Sequence, residues 1–250
     1  MIPLISSRTL FHFTCSRAIL NKILSNNFFP RYCLETYELT PAIEISRAFP
    51  MVCFCDLPLS QIKNHLKTYG YYGIGMSKEW GIRKGLNPVL YLQRDSMLSR
   101  QLGSMSPFIE NSPLPIGQSD QEIRSAEIFR HVKPYEGTLI RCGKRIPNVT
   151  FYDEREWRYL PDPLTRDIPF SLDPSDYNTQ TRKDQANQDA ESHPLRFQIS
   201  DINYIFIKDE TEVLDILRDI QEIKGSRYSA DQVRVLTSKI MTSEKLLNDI

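Results

Sequence analysis

The sequence predicts a mixed α+β fold in a single domain, and three observations lead there. Strand-like segments alternate only partly with helical ones, which argues against a doubly wound parallel sheet. No internal repeat runs through the 250 residues. The two loose stretches, 99–120 and 172–194, lie too far inside the chain to mark clean domain boundaries. At this length a single domain can bury a proper core.

The elements follow in order. TLFHFT (9–14) alternates and is β-rich, so it reads as the first strand. SRAILNKILSNN (16–27) follows as a helix, with Ser16 as N-cap and Ile19, Leu20, Ile23 and Leu24 on one face. FFPRYCLE (28–35) returns as an extended segment, residues around 36–50 read as a loop, and MVCFC (51–55) is a second strand. LPLSQIKNHLKTYG (57–70) predicts a helix that begins near Pro58 and stops at Gly70. YYGIGMS (71–77) is a strand with close backbone contacts at its glycines, KEWGIRKG (78–85) a short helix, and PVLYLQ (88–93) another strand.

Residues 99–120 are rich in Ser, Pro and Gly and read as a long mobile connection. QEIRSAEIFRHVK (121–133) is helical, and NVTFYDEREWRYL (148–160) is a strand. Residues 172–194 are polar, almost without apolar anchors, and read as mobile. LRFQIS and INYIFIK are β-like, DETEVLDILRDIQEIKG is a helix ending at Gly225, and VRVLTSKIM and a last turn of helix at SEKLLNDI finish the chain.

Composition narrows the functional classes. Lys plus Arg and Asp plus Glu both number 31, so no global field draws in nucleic acid or an anionic membrane. No run of about 18 apolar residues suggests a membrane span. The start of the chain lacks the pattern of a secretion signal. Five scattered cysteines have no framework spacing, and a reduced cytoplasmic protein is the natural expectation. Cys53 and Cys55 lack the partners that a zinc site requires, so no metal is expected. There is no Walker A loop, no H-E-x-x-H and no G-x-S-x-G.

FYDEREWRYL (151–160) carries the strongest chemical pattern. In a continuous strand Tyr152, Glu154, Glu156 and Arg158 share one face, which sets the two carboxylates about 7 Å apart. Both could serve one ligand, with Arg158 holding one of them ionised and oriented. The same pattern also describes a solvated strand face laced with Glu–Arg pairs, which contributes little. His12 sits in an apolar strand opposite Phe11 and Phe13, as a structural histidine or as a donor to a ligand hydroxyl. Tyr69, Tyr71 and Tyr72 could stack on a flat ring or simply fill core and surface.

The blocks LFHFT, VCFCDLPLS, HLKTYGYYGIGMSKEWG, NPVLY and FYDEREWRY, in that order, resemble AbiGi-type proteins. These are bacterial abortive-infection, anti-phage components described as the antitoxin member of a two-gene system. The resemblance covers about residues 9–160 and implies a cognate toxin, or a phage or host macromolecule, as partner. More remotely, the order is similar to ADP-ribosyltransferases of the DNA-targeting toxin type. That likeness implies a split, mostly antiparallel sheet flanked by helices, with NAD in a central cleft. Carried over, it puts His12 on the NAD ribose and a tyrosine such as Tyr69 or Tyr72 against the nicotinamide. Arg158 joins the cofactor site, and Glu156 is the catalytic acid with Glu154 beside it. The choice between the two acids rests on adjacency to Trp157 and Arg158. Breaking the nicotinamide–ribose bond builds positive charge on the sugar, which a fixed carboxylate would stabilise. Three readings remain open: a transferase, a non-catalytic antitoxin or sensor that restrains a toxin by binding, and a nucleic-acid-binding regulator, which has only scattered arginines in its favour and no known motif.

Overall fold

Residues 6–105, 119–141 and 144–249 are described by a computed structural model. The α+β class agrees with the sequence, and the strand pairing is mostly antiparallel. Contacts group the chain into two compact units, Met1–Phe29 with Cys53–Leu86 and Pro194–Ile250, and Pro30–Val52 with Asn87–His193.

In the first unit the strand Thr9–Thr14 runs antiparallel to Tyr72–Ser77, from Thr9↔Ser77 to Thr14↔Tyr72. Phe11 pairs with Cys55 on its other edge. Tyr72–Ser77 continues antiparallel to Ile202–Ile207, which in turn pairs in parallel with Ile240–Thr242. Phe11 and Phe13 point from one face into a core with Leu57, Ile62, Leu66, Phe206 and Leu246. The two glycines of the GIG stretch lie opposite those rings. A Cβ on Gly73 would come within 2.6 Å of Phe13 Cδ1, and one on Gly75 within 3.0 Å of Phe11 Cε1. The glycines therefore make room for phenylalanines.

Gly70 ends the helix Lys63–Tyr69, donating its N–H to the Leu66 carbonyl. Its φ is +117°, and a Cβ there would lie 2.2 Å from the Thr14 carbonyl oxygen. Gly70→Ala therefore combines a strained backbone with a collision against a fixed strand. We expect a loss of at least about 2 kcal/mol in urea unfolding; a loss below about 0.5 kcal/mol would show that the turn can rearrange. The helix Arg17–Asn26 starts where expected, Ser16 accepting the Ile19 N–H, and buries Leu20, Ile23 and Leu24 while Ile19 stays exposed.

The second unit is built on a hairpin. Arg31–Thr40 pairs antiparallel with the following strand from Arg31↔Met51 to Thr40↔Ile43, so 36–40 and 43–50 are strands and only the turn at 41–42 is loop. Tyr37 and Leu39 bury their side chains while Glu38 between them is exposed. Period-two alternation was present, but charged residues thinned the apolar signal. The stretch 172–194, expected to be mobile, instead forms the helices Pro174–Asn178 and Gln180–Asp189 and a short turn, Ala190–Ser192. Its anchors are small: Ala186 and Ala190 pack with Tyr32, Ala48 and Leu172. Polar ties complete the attachment, including Arg31 to Glu191 at 2.6 Å and Asn187 Oδ1 to the Tyr32 N–H at 2.8 Å.

Other boundaries shift. The helix Met97–Ser104 occupies the start of the expected 99–120 connection, and residues 106–118 lie outside the described residues. LRFQIS runs into a short turn at Ile199–Asp201 in place of a strand; farther on, Ala230–Thr237 is helical and Ile240–Thr242 is extended. Among the described residues, no helix is long and apolar enough to cross a membrane.

Candidate functional site

FYDEREWRYL is not one strand. Lys144–Thr150 ends before it, Phe151–Glu154 forms a 3-10 turn, and Glu156–Tyr159 is a separate strand. Arg155, at the break, has a left-handed backbone with φ 46°. The even alternation expected across Glu154 and Glu156 is therefore lost. The two acids nonetheless converge, because a lysine from elsewhere bridges them.

That lysine is Lys133, on the short strand Val132–Pro134. This strand pairs in parallel with Leu90–Leu92 and sets Lys133 beside Tyr91. Lys133 Nζ donates to Glu154 Oε2 at 2.7 Å and to Glu156 Oε2 at 2.5 Å. The other Glu156 oxygen accepts from Arg158 Nε at 2.5 Å. Arg158 Nη2 reaches Glu35 Oε1 at 2.7 Å, and Nη1 donates to the carbonyls of Arg130 and Val132 at 3.0 and 3.2 Å. The backbone N–H of Glu156 donates to the Tyr91 hydroxyl at 2.8 Å. Arg158 has no exposed surface and Glu156 retains 5%. This is a buried cluster of three carboxylates and two cations.

Burial and pairing compete at each group. Burial alone would push the Glu156 carboxyl up, but Arg158 and Lys133 outweigh it and hold it well below the usual carboxylate range. For Glu35 burial wins over the pull of Arg158, and its carboxyl is raised. Burial would lower the Lys133 ammonium, yet Glu156, Glu35 and Glu154 together raise it. Pairs of this kind contribute little net stability but penalise the loss of either partner. The cluster pins Arg31–Thr40, Val132–Pro134 and Glu156–Tyr159 together through side chains.

The remaining predicted site residues, His12, Tyr69 and Tyr72, belong to the first unit. His12 is half-buried. Its Nδ1 lies 2.8 Å from the Cys53 carbonyl, which makes that nitrogen the donor. Its ring packs against Phe28 and Phe54, at centroid distances of 5.2 and 5.6 Å. Tyr69 stacks on His65 one helical turn away, with centroids 4.2 Å apart. The Tyr72 hydroxyl donates to Glu212 at 2.8 Å; burial and that bond push it up to about 12.

Sequence reading thus found Glu154, Glu156 and Arg158 but not Lys133 or Glu35. The sequence pattern puts Lys133 at the end of a helix and Glu35 in an extended segment, and no local signal marks either one as a site residue. Among the described residues, no group of three His, Cys, Asp or Glu side chains gathers as a metal site.

Comparison with known proteins gives a family. Residues 26–208 match the family described as "Putative abortive phage resistance protein AbiGi, antitoxin". Glu35, Lys133, Glu154, Glu156 and Arg158 fall within that range, whereas His12 precedes it. The chain is also similar to the Abortive phage resistance protein AbiGi of Lactococcus lactis subsp. cremoris, with 29% identity over 252 residues that span 89% of this chain and 99% of the relative. No solved structure matches. The family match spans well over half of the chain, in agreement with the resemblance read from the sequence, and the protein belongs to the AbiGi family.

Proposed function

We propose that this protein is the restraining partner of a two-gene anti-phage system, and that it acts by binding a cognate toxin rather than by catalysis. The family description supports the system and the antitoxin role. One observation carries the choice of binding over chemistry: both Glu156 oxygens are engaged by cations and the residue is buried. A carboxylate that stabilises an oxocarbenium-like sugar must face it. Glu156 faces Lys133 and Arg158 instead.

The groups named for NAD fit no better. Arg158 spends its nitrogens on Glu156, Glu35 and two carbonyls. His12 Nδ1 is held by Cys53, Tyr69 is stacked on His65, and the Tyr72 hydroxyl is bonded to Glu212. An ADP-ribosyltransferase-like cleft would need several of these bonds to break before NAD could bind.

The test is co-expression. Inducing the adjacent toxin gene alone should arrest growth, and adding this chain should restore plating by at least about 100-fold, with a complex recovered from the same cells. Calorimetry of the purified protein with NAD should show no binding. A purified protein that hydrolyses NAD or transfers ADP-ribose would overturn the reading, as would absence of both rescue and complex.

A further inference from the structure

The edge of the charge cluster carries an unusual surface. Among the described residues only two aromatic side chains are exposed, Tyr135 at 38% and Tyr152 at 50%. They stack on each other, with centroids 5.6 Å apart and planes 27° apart. Tyr91 meets Tyr152 edge-on at 5.2 Å and is itself fixed by the Glu156 N–H. The backbone holds the arrangement: Tyr152 N–H donates to the Tyr135 carbonyl at 3.3 Å, and Tyr135 N–H to the Leu92 carbonyl at 2.8 Å. The face is therefore built in advance of any contact.

Its charge points to the kind of partner. Each exposed tyrosine is followed directly by an exposed acid, Glu136 or Asp153. Neither acid forms an ion pair with a described residue. Glu154 lies just beyond, at the edge of the cluster in which it, Glu156 and Glu35 face only two cations, Lys133 and Arg158. Flat exposed rings rimmed by carboxylates suit a guanidinium, which can stack on a ring while its N–H groups reach the acids. Phosphate would be repelled by the same rim. Tyrosine and arginine are also the residues that most often dominate binding at protein interfaces.

We propose that the Tyr135–Tyr152 face is a docking surface for a partner protein, seating an arginine side chain stacked on the exposed rings beside Glu136 and Asp153. This deepens the toxin-restraint reading and rests on it for the partner's identity, but the chemistry of the face is tested separately.

The probe is a capped tetra-arginine peptide, compared by calorimetry at low salt with the uncharged tetra-citrulline peptide. Wild-type protein should bind the arginine peptide at least tenfold more tightly. The double variant Tyr135→Ala/Tyr152→Ala should lose at least tenfold, and Glu136→Gln/Asp153→Asn a similar amount, with unchanged circular dichroism because all four side chains are exposed. Equal binding of the two peptides, unchanged binding by the tyrosine variant, or tighter binding of a thymidine dodecamer at the same face overturns the inference. In the co-expression assay the tyrosine variant should lose rescue. Rescue that persists with a recovered complex overturns the docking face and leaves restraint intact. Failure of the wild type to rescue sinks restraint whatever the peptides do.

Discussion

Replacing Arg158 with alanine is expected to cost about 3–5 kcal/mol, enough to unfold much of the second unit. The guanidinium is fully buried and serves Glu156, Glu35 and two backbone carbonyls at once. Its removal leaves two carboxylates in the interior with Lys133 as the main counter-charge and opens a cavity the width of the side chain. Arg158→Lys should recover less than half of the loss, because one ammonium cannot span partners on three strands. The informative control removes the acids as well. A triple variant, Arg158→Met with Glu35→Gln and Glu156→Gln, should be more stable than Arg158→Ala, since no charge is then stranded. Urea unfolding of the four proteins measures this. A loss under about 1 kcal/mol for Arg158→Ala would mean that water reaches the cluster and compensates.

The geometry explains why so polar a group sits inside. An apolar plug at Arg158 could pack the same space, but it would not select one register among Arg31–Thr40, Val132–Pro134 and Glu156–Tyr159. Two of the pairs join strands, Glu35 to Arg158 and Glu156 to Lys133, while Arg158 to Glu156 braces the strand that carries both. A slipped strand would leave one of them unpaired at a cost of several kcal/mol. The same cluster sets the Tyr91 hydroxyl against the Glu156 N–H, so the interior network supports the exposed tyrosine face above it.

Much of this was legible in the sequence where a local rule applied. Alternation in TLFHFT and the glycines of YYGIGMS gave two central strands, and Ser16 gave a helix start. The E-x-E-W-R spacing placed Glu156 and Arg158 on one side of a strand, where they do meet at 2.5 Å. The misses share a cause. Arg155 adopts a positive φ that its residue type does not advertise, so the strand break was invisible. Gln180–Asp189 buries only Ala186, and a helix with one small anchor carries no apolar stripe. Lys133 and Glu35 matter through contacts more than 20 residues away in sequence. Such tertiary pairing leaves no periodic trace.

Glu156→Gln should change how stability depends on pH, and the sign follows from the direction of its shift. In the folded chain Arg158 and Lys133 overcome burial and hold the carboxyl well below its ordinary value of 4.5. Ionised Glu156 therefore contributes stability above that ordinary value, and the contribution is lost as pH falls toward the folded pKa. Glu35 works the other way. Its raised carboxyl means that the unfolded chain ionises first, so its contribution declines as pH rises from the ordinary value through the raised one. Wild-type protein should accordingly weaken steeply on the acid side and more gently above mild acidity. In Glu156→Gln the acid limb should flatten. The variant should lose about 2 kcal/mol or more near neutral pH and much less near pH 3, because a neutral amide still fills the space but no longer balances two cations. Urea unfolding across about pH 3 to pH 8 reads both limbs. Parallel wild-type and variant curves would mean that folding leaves the Glu156 carboxyl unshifted, and the assignment of Arg158 and Lys133 as its counter-charges would fall. The same preparations also separate structure from catalysis. A carboxylate kept for packing moves the stability curve and leaves NAD untouched, whereas a transferase acid would keep the curve and abolish turnover.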